Sequence, residues 1–373
     1  MNRPLNFSLF LLSCVITVTT YAQSEPVPVM NLGDPAPPLH LRTWIKGKPV
    51  NTFEKGEIYV LEFWATWCKP CVAAMPHLSA LAREYRDRVT VLGIDVMESK
   101  TTSIQKIKAF VDSMGSNMDY NVAVEDSNFM VAAWFEPLGE AGIPHSFVVN
   151  GEGRLAWIGH PKDLAGLLPK IANNTWDIQK ALAERNTNRH LHYLDREAIF
   201  ELVQYSGDPL KPDDLGKPDS ALLMIDEIVK ANPKLKYAPF IASWTFSSLL
   251  KTDPQKAYEF GKKAIVTYTY EEPAYHSIIG TIESYSNILN LSPEIYGLGA
   301  EACQAEIDGM VYPQLANMSR RYSKMAEWYW RAGNKAKAIA AQQEAIETLK
   351  SRKNYSLEDL AALEDCLQQY RNQ

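Results

Sequence analysis

The stretch Phe63-Trp64-Ala65-Thr66-Trp67-Cys68-Lys69-Pro70-Cys71 constrains this chain more than any other. The residues that lead into it, Glu57-Ile58-Tyr59-Val60-Leu61-Glu62-Phe63, are aromatic, β-branched and few, which predicts a short buried strand. From Pro70 to about Arg86 the pattern predicts a helix. Two cysteines therefore fall where a strand hands over to a helix N-terminus. Unpaired backbone N–H groups and the positive end of the helix dipole stabilise an anion at such a place. A thiolate is such an anion, so a thiol there has a lowered pKa and is a usable nucleophile near neutral pH.

A bare C-x-x-C also occurs in zinc sites, so the surroundings decide its meaning. Pro76 lies eight residues after Cys68, Glu62 lies six before it, and Ile143-Pro144 precedes the apolar run Phe147-Val148-Val149. With these, the Trp-Cys-x-x-Cys site resembles thioredoxin, and the longer Phe63–Cys71 stretch is similar to the TlpA/ResA-like branch of exported thiol–disulfide oxidoreductases. The resemblance spans roughly Asn31 to Ala172. It implies an α/β thioredoxin fold, a central mixed sheet with helices on both faces, and an active-site helix bent at Pro76.

The resemblance also implies roles. Cys68, at an exposed helix tip, attacks a substrate disulfide, and Cys71, shielded one turn in, resolves the mixed disulfide. Glu62, desolvated under the sheet with a raised pKa, accepts the proton of Cys71. Pro144 is the cis-proline, and Ile143 offers its backbone to an extended substrate. Lys69 and Pro70 tune the reduction potential. His145, as a cation near Cys68, stabilises the thiolate. Trp64 and Trp67 pack and shield the site, with Trp67 on the substrate side. An outward-facing Glu62, a trans Pro144 and a structural His145 are the alternatives. No cofactor beyond the redox-active Cys68–Cys71 disulfide and no metal is expected. The expected partners are protein dithiol or disulfide substrates and an upstream thiol electron donor. Two departures narrow the reading. Ala74 stands where ResA-like cytochrome-maturation proteins carry Glu, and Ala65 and Leu61 stand where a peroxiredoxin needs Thr or Ser and Pro.

At 373 residues the chain is long for one domain. Its net charge of -6 gives no electrostatic reason to expect nucleic acid or an anionic membrane. Residues 1–22 read as a signal peptide: Arg3, an apolar run from Leu5 to Val18, then Thr20-Tyr21-Ala22 before Gln23. Leu11-Leu12-Ser13-Cys14 offers the alternative of a lipid anchor at Cys14. Either way the protein is exported, to the periplasm or cell envelope. Cys303 and Cys366 either bridge or remain free thiols.

Residues 23–172 form the thioredoxin-like domain. Its Pro-rich start (Pro26, Pro28, Pro35, Pro37, Pro38) is followed by expected strands at Leu39–Trp44 and Arg88–Val96 and helices at Ser103–Met114 and Asp126–Phe135, the latter capped by Asp126. His145–Val149 and Arg154–Ile158 form a hairpin about Asn150-Gly151-Glu152-Gly153, and Lys162–Ala172 closes the domain as a helix. In residues 173–373 strand patterns disappear, and helices are expected near 195–205, 219–231, 237–250, 254–267, 273–289, 294–309, 314–332, 335–350 and 357–370, separated by residues such as Pro209, Pro212, Pro313 and Gly333. Gly333, Ala338 and Ala345, and likewise Thr252, Ala257 and Ala264, have spacings that resemble tetratricopeptide repeats, without a steady period. The expected function is an exported thiol–disulfide oxidoreductase whose helical domain docks a partner. The alternative is a partner-binding helical scaffold whose redox centre is a sensor or docking module.

Overall fold

A computed structural model describes residues 29–207, 214–270, 273–310, 318–352 and 355–372. The expected signal peptide, Cys14, Gln23, Pro26, Pro28, Pro209, Pro212 and Pro313 lie outside the described residues. The first unit comprises β1 (Leu41–Lys46), β2 (Ile58–Trp64), α1 (Lys69–Glu84), β3 (Val89–Asp95), α2 (Ile104–Met114), β4 (Asn121–Glu125), α3 (Phe129–Trp134), β5 (His145–Val149), β6 (Leu155–Gly159) and α4 (Leu164–Ala172). The rest is helical: α5 (Ile178–Leu202), α6 (Pro218–Ala231), α7 (Pro239–Thr252), α8 (Pro254–Ala264), α9 (Tyr275–Tyr285), α10 (Pro293–Gly309), α11 (Met318–Arg331), α12 (Lys335–Lys350) and α13 (Leu357–Asn372).

The strands form one mixed sheet in the order β1-β4-β3-β2-β5-β6. β2 sits between parallel β3 and antiparallel β5 and is buried at every position. That explains its unbroken apolar run, since a strand covered on both faces has no polar side to present. Its side chains alternate between two cores. Ile58, Val60 and Trp64 face one core with Cys68, Cys71, α1, α2 and α4. Tyr59, Leu61 and Phe63 face the other, with Met130, Trp134, Phe135 and Phe147. The layered thioredoxin-like arrangement expected from the sequence is therefore present.

Three local readings are corrected. β4 was not foreseen: five residues between Asn121 and Glu125 give too short a periodic signal, and pairing to β1 and β3 decides the conformation. The helix expected from Asp126 begins at Phe129, because Ser127 and Asn128 take positive φ (52° and 64°), outside the helical region, and no side chain caps its start. Helix α5 begins at Ile178, not near 195. Its polar middle hides the periodicity, but Asp177 caps it by accepting from Lys180 N at 2.9 Å, and Ile178, Ala181 and Leu182 pack on the sheet.

Farther along, Leu191, Ala198 and Leu202 of α5 join a core with Ala221, Ile225, Leu235, Ala238 and Ile241. Asp195 accepts from Phe240 N (3.0 Å), Ile241 N (2.9 Å) and the Tyr270 hydroxyl (2.6 Å), satisfying the first N–H groups of α7. Thus α5 belongs to both units. Small residues permit close approach in the helical region: a Cβ on Gly299 would lie 2.6 Å from the Trp328 ring, and Ala257, Ala264, Ala338 and Ala345 are fully buried. Cys303 and Cys366 are free thiols, so the bridging alternative is not realised. Among the described residues no helix is long and apolar enough to cross a membrane.

Candidate active site

The end of β2 and the start of α1 bring Cys68 and Cys71 together as a disulfide, with 5.3 Å between their Cα atoms. Cys68 is the N-cap of α1. Its backbone is extended, and its Sγ accepts from Cys71 N at 3.2 Å. An N–H group left over at the helix start is thus aimed at the first sulfur, the one that an anion would occupy. Pro70 stands in the first turn, where a missing N–H costs nothing, and Pro76 lies inside the helix. Lys69 and Pro70 are exposed.

The expected difference in exposure between the sulfurs is not present. Cys68 is 2% exposed and Cys71 1%, both within the core that includes Ala65, Ala74 and Met75. Ile143 packs against this same core, and the Ile143–Pro144 peptide is cis. The two cysteines differ instead in hydrogen bonding. Trp67 does not pack as expected. It is 57% exposed and is held by its Nε1, which donates to Met97 O at 3.0 Å, while Trp64 is fully buried.

Glu62 shares the cysteine face of β2 and is buried. Ser146, its register partner on β5, donates its hydroxyl to Glu62 Oε2, and Oε1 has no partner. Burial drives the Glu62 carboxyl well above the usual carboxylate range, and the Ser146 hydrogen bond offsets that only in part. Nearby Tyr120 is pushed up by its own burial and by the Glu62 charge. Gly93, opposite Glu62 in β3, makes room: a Cβ there would lie 2.7 Å from the Tyr120 ring and 3.3 Å from Trp64 Nε1.

His145 requires a correction. Strand alternation puts Ser146 and Val148 on the cysteine face and His145 on the other, beside Phe135 and Phe147. Its Nε2 lies 3.4 Å from Glu140 Oε2, and burial lowers its pKa, which the Glu140 charge opposes. It is therefore not a cation beside Cys68.

The AhpC/TSA family model matches residues 32–158. Protein FixW of Rhizobium leguminosarum is 30% identical over 151 residues, covering 39% of this chain and 68% of its own length. The chain belongs to the AhpC/TSA family. Thiol-disulfide oxidoreductase ResA of Bacillus thuringiensis is 29% identical, with 44% of this chain and 92% of that protein covered. Thiol:disulfide interchange protein DsbE of Pasteurella multocida is 27% identical, with 50% and 99% covered. Among solved structures, the thioredoxin domain of a Bacteroides vulgatus thiol-disulfide oxidoreductase is similar at 22% identity and a TM-score of 0.33, over 39% of this chain and 99% of that one. Within the AhpC/TSA family, this chain keeps Ala65 and Leu61 where a peroxidatic cysteine would need other residues.

Sequence reasoning missed the groups that hold the loop before Cys68. Glu98 Oε1 accepts from Thr66 N at 2.6 Å. Behind it, Asp95 is pushed up to about 8, first by burial and then by the charge and hydrogen bond of Glu98 and the charge of Glu125. Glu125 Oε1 accepts from Met97 N at 3.3 Å. The available signal was three acidic residues at the ends of β3 and β4, which became a cluster only once β4 was known. Ser146 was equally invisible, because nothing local marks it as facing Glu62.

Proposed function

We propose that this AhpC/TSA-family chain is an exported thiol–disulfide oxidoreductase that exchanges disulfides with protein substrates through Cys68 and Cys71. The observation that carries the reading is the Cys68–Cys71 disulfide capping α1, with Cys71 N–H donated to Cys68 Sγ. In the reductive direction, the Cys68 thiolate attacks a substrate disulfide, forms a Cys68–substrate bond and releases one substrate thiolate. Glu62 takes the Cys71 proton. The Cys71 thiolate then attacks Cys68 Sγ, forms the intramolecular disulfide and releases the second substrate thiolate. The substrate gains two electrons, the enzyme ends oxidised, and an upstream dithiol donor resets it. The redox equivalent is the disulfide itself, and no metal or nucleic acid enters the scheme. Ile143 and Pro144 offer backbone to an extended substrate, with the exposed Trp67 at its edge, and Lys69 and Pro70 set the potential. We place the chain in the TlpA/ResA-like branch from the Phe63–Cys71 stretch, with Ala74 arguing against a cytochrome-maturation role, and assign export to the cell envelope from residues 1–22. The helical region, read as tetratricopeptide-like from its buried alanines and Gly333, docks a partner.

A second reading, a helical scaffold whose redox centre senses or docks, is favoured by the burial of both sulfurs. Insulin-disulfide reduction with dithiothreitol separates the two. The first requires the wild type to outpace Cys68→Ser clearly, and equal rates overturn it. Cys71→Ser, lacking the resolving thiol, should hold natural substrates covalently on Cys68.

A further inference from the structure

We propose that Arg185, on α5, is a positioning residue for the redox site: from the far face of the sheet it fixes the segment carrying Ile143 and Pro144. The proposal rests on the disulfide-exchange reading above. Arg185 lies beyond the residues that the family model matches, so the helical region takes part in building the site.

The geometry runs through one partly buried ion cluster. Arg185 Nη2 donates to Leu138 O at 3.0 Å and to Glu140 Oε1. The other Glu140 oxygen faces His145 Nε2 at 3.4 Å. All three side chains are mostly buried. Leu138 and His145 bracket the segment that includes the cis Ile143–Pro144 peptide. Ile143 packs against both cores, including the one that holds Cys68 and Cys71. A displacement of this segment is therefore felt at the disulfide.

The anchor is firm at both ends. Before Arg185, Ile178, Ala181 and Leu182 pack on the sheet. After it, Leu191 joins the helical core and Asp195 binds the start of α7. A planar guanidinium held between such anchors places one nitrogen, Nη2, against both a carbonyl and a carboxylate, a point at which the ammonium on lysine's more flexible stem is less firmly held. Without it, Glu140 stays mostly buried and loses the cation that its Oε1 binds.

Electrostatics supply a readout that a general loss of packing does not give: opening the cluster would raise the His145 pKa in every variant, whereas loss of the Glu140 charge lowers it. The groups around His145 are Phe63 from β2, Phe135 before the segment, Phe147 on β5, Glu140, and Arg185 from α5, with Arg189 near Gly139. Burial lowers the His145 pKa, Glu140 raises it and Arg185 lowers it. Removing Arg185 must therefore raise the His145 pKa, and removing the Glu140 charge must lower it.

The test uses the full chain as wild type, Arg185→Met, Arg185→Lys and Glu140→Gln. It measures insulin-disulfide reduction with dithiothreitol, the His145 pKa by imidazole NMR, and the thermal midpoint. For Arg185→Met, kcat/KM should fall about three- to tenfold, chiefly through KM, because substrate alignment is lost while the cysteines remain. The His145 pKa should rise. Arg185→Lys should recover part of both, and Glu140→Gln should slow reduction while lowering the His145 pKa. An Arg185→Met protein within twofold of wild type overturns the proposal, as does a slowed one whose His145 pKa has not moved. Should Arg185→Met fail to fold, Glu140→Gln decides: an unchanged rate or an unmoved pKa overturns it. A wild type no faster than Cys68→Ser is instead a failure of the underlying reading, told apart because the parent itself is inactive.

Discussion

Glu62→Gln should remove a loss of stability that the wild type suffers as pH rises, and should leave the protein less able to resolve a mixed disulfide. The carboxyl is buried, and its pKa is raised well above the ordinary value, chiefly by desolvation. An acid whose folded pKa exceeds its unfolded one, about 4.3, favours the folded state fully only below the unfolded pKa. As pH rises toward the folded pKa, the unfolded chain ionises first and stability is lost, by about 1.4 kcal/mol for each unit of upward displacement. Glutamine does not ionise, so this pH-dependent loss disappears. A constant offset remains. Glu62 Oε1 has no hydrogen-bond partner, and an amide N–H₂ there would stay unsatisfied at a cost of about 1–3 kcal/mol. The Ser146 hydroxyl keeps an acceptor. The informative quantity is therefore the change in ΔΔG between about pH 4 and pH 8, which cancels the offset. Urea unfolding of the oxidised wild type and variant at both pH values should show Glu62→Gln gaining stability relative to wild type on going to pH 8. In stopped flow, release of a mixed disulfide on Cys68 should slow about tenfold or more without the proton acceptor. A ΔΔG that does not vary with pH would refute the burial argument, and an unchanged release rate would refute the proton-transfer role.

The loop carboxylates give a second pH-dependent case. Because Asp95 is raised to about 8, its contribution to stability is lost as pH rises from about 4 through 8, so Asp95→Asn should be relatively more stable at pH 9 than at pH 4. Urea midpoints that shift equally at both would count against it. Gly93→Ala should destabilise by about 1–3 kcal/mol, since its Cβ would press on the Tyr120 and Trp64 rings, and a neutral effect in urea would show that these rings yield. Cys303, buried and pushed up to about 12, should resist iodoacetamide at pH 8 until the protein unfolds, as read by mass spectrometry. Labelling in the native state at the rate of a free thiol would contradict its placement.

The most legible part of the sequence was where local chemistry and tertiary structure agree. Glu57 to Phe63 reads as a buried strand, and Ile58–Trp64 is one, because a central strand needs apolar side chains on both faces. The punctuation around Gly333 and Pro254 marked helix boundaries that the structure keeps. What failed was decided by partners distant in sequence. Asn121–Glu125 becomes a strand by pairing on both sides, and the polar start of α5 is held by the sheet it covers. At the site, the cysteine pair and Glu62 could be named from spacing, but His145 could not be placed, because one step along β5 moves a side chain to the opposite face. Ser146, Glu98, Glu140 and Arg185 carry no local mark at all, and they enter through contacts spanning 32 to 84 positions.

The central claim is that the N-terminus of α1 holds Cys68 as an anion. Its most direct test is the pH dependence of iodoacetamide alkylation of the reduced protein, resolved by mass spectrometry at Cys68 and Cys71. The account predicts that Cys68 reacts with a midpoint well below the free-thiol value of about 8.5, while Cys71 reacts slowly and at higher pH. A Cys68 midpoint at or above about 8.5, or a Cys68 that stays unmodified in the reduced native protein, would contradict it.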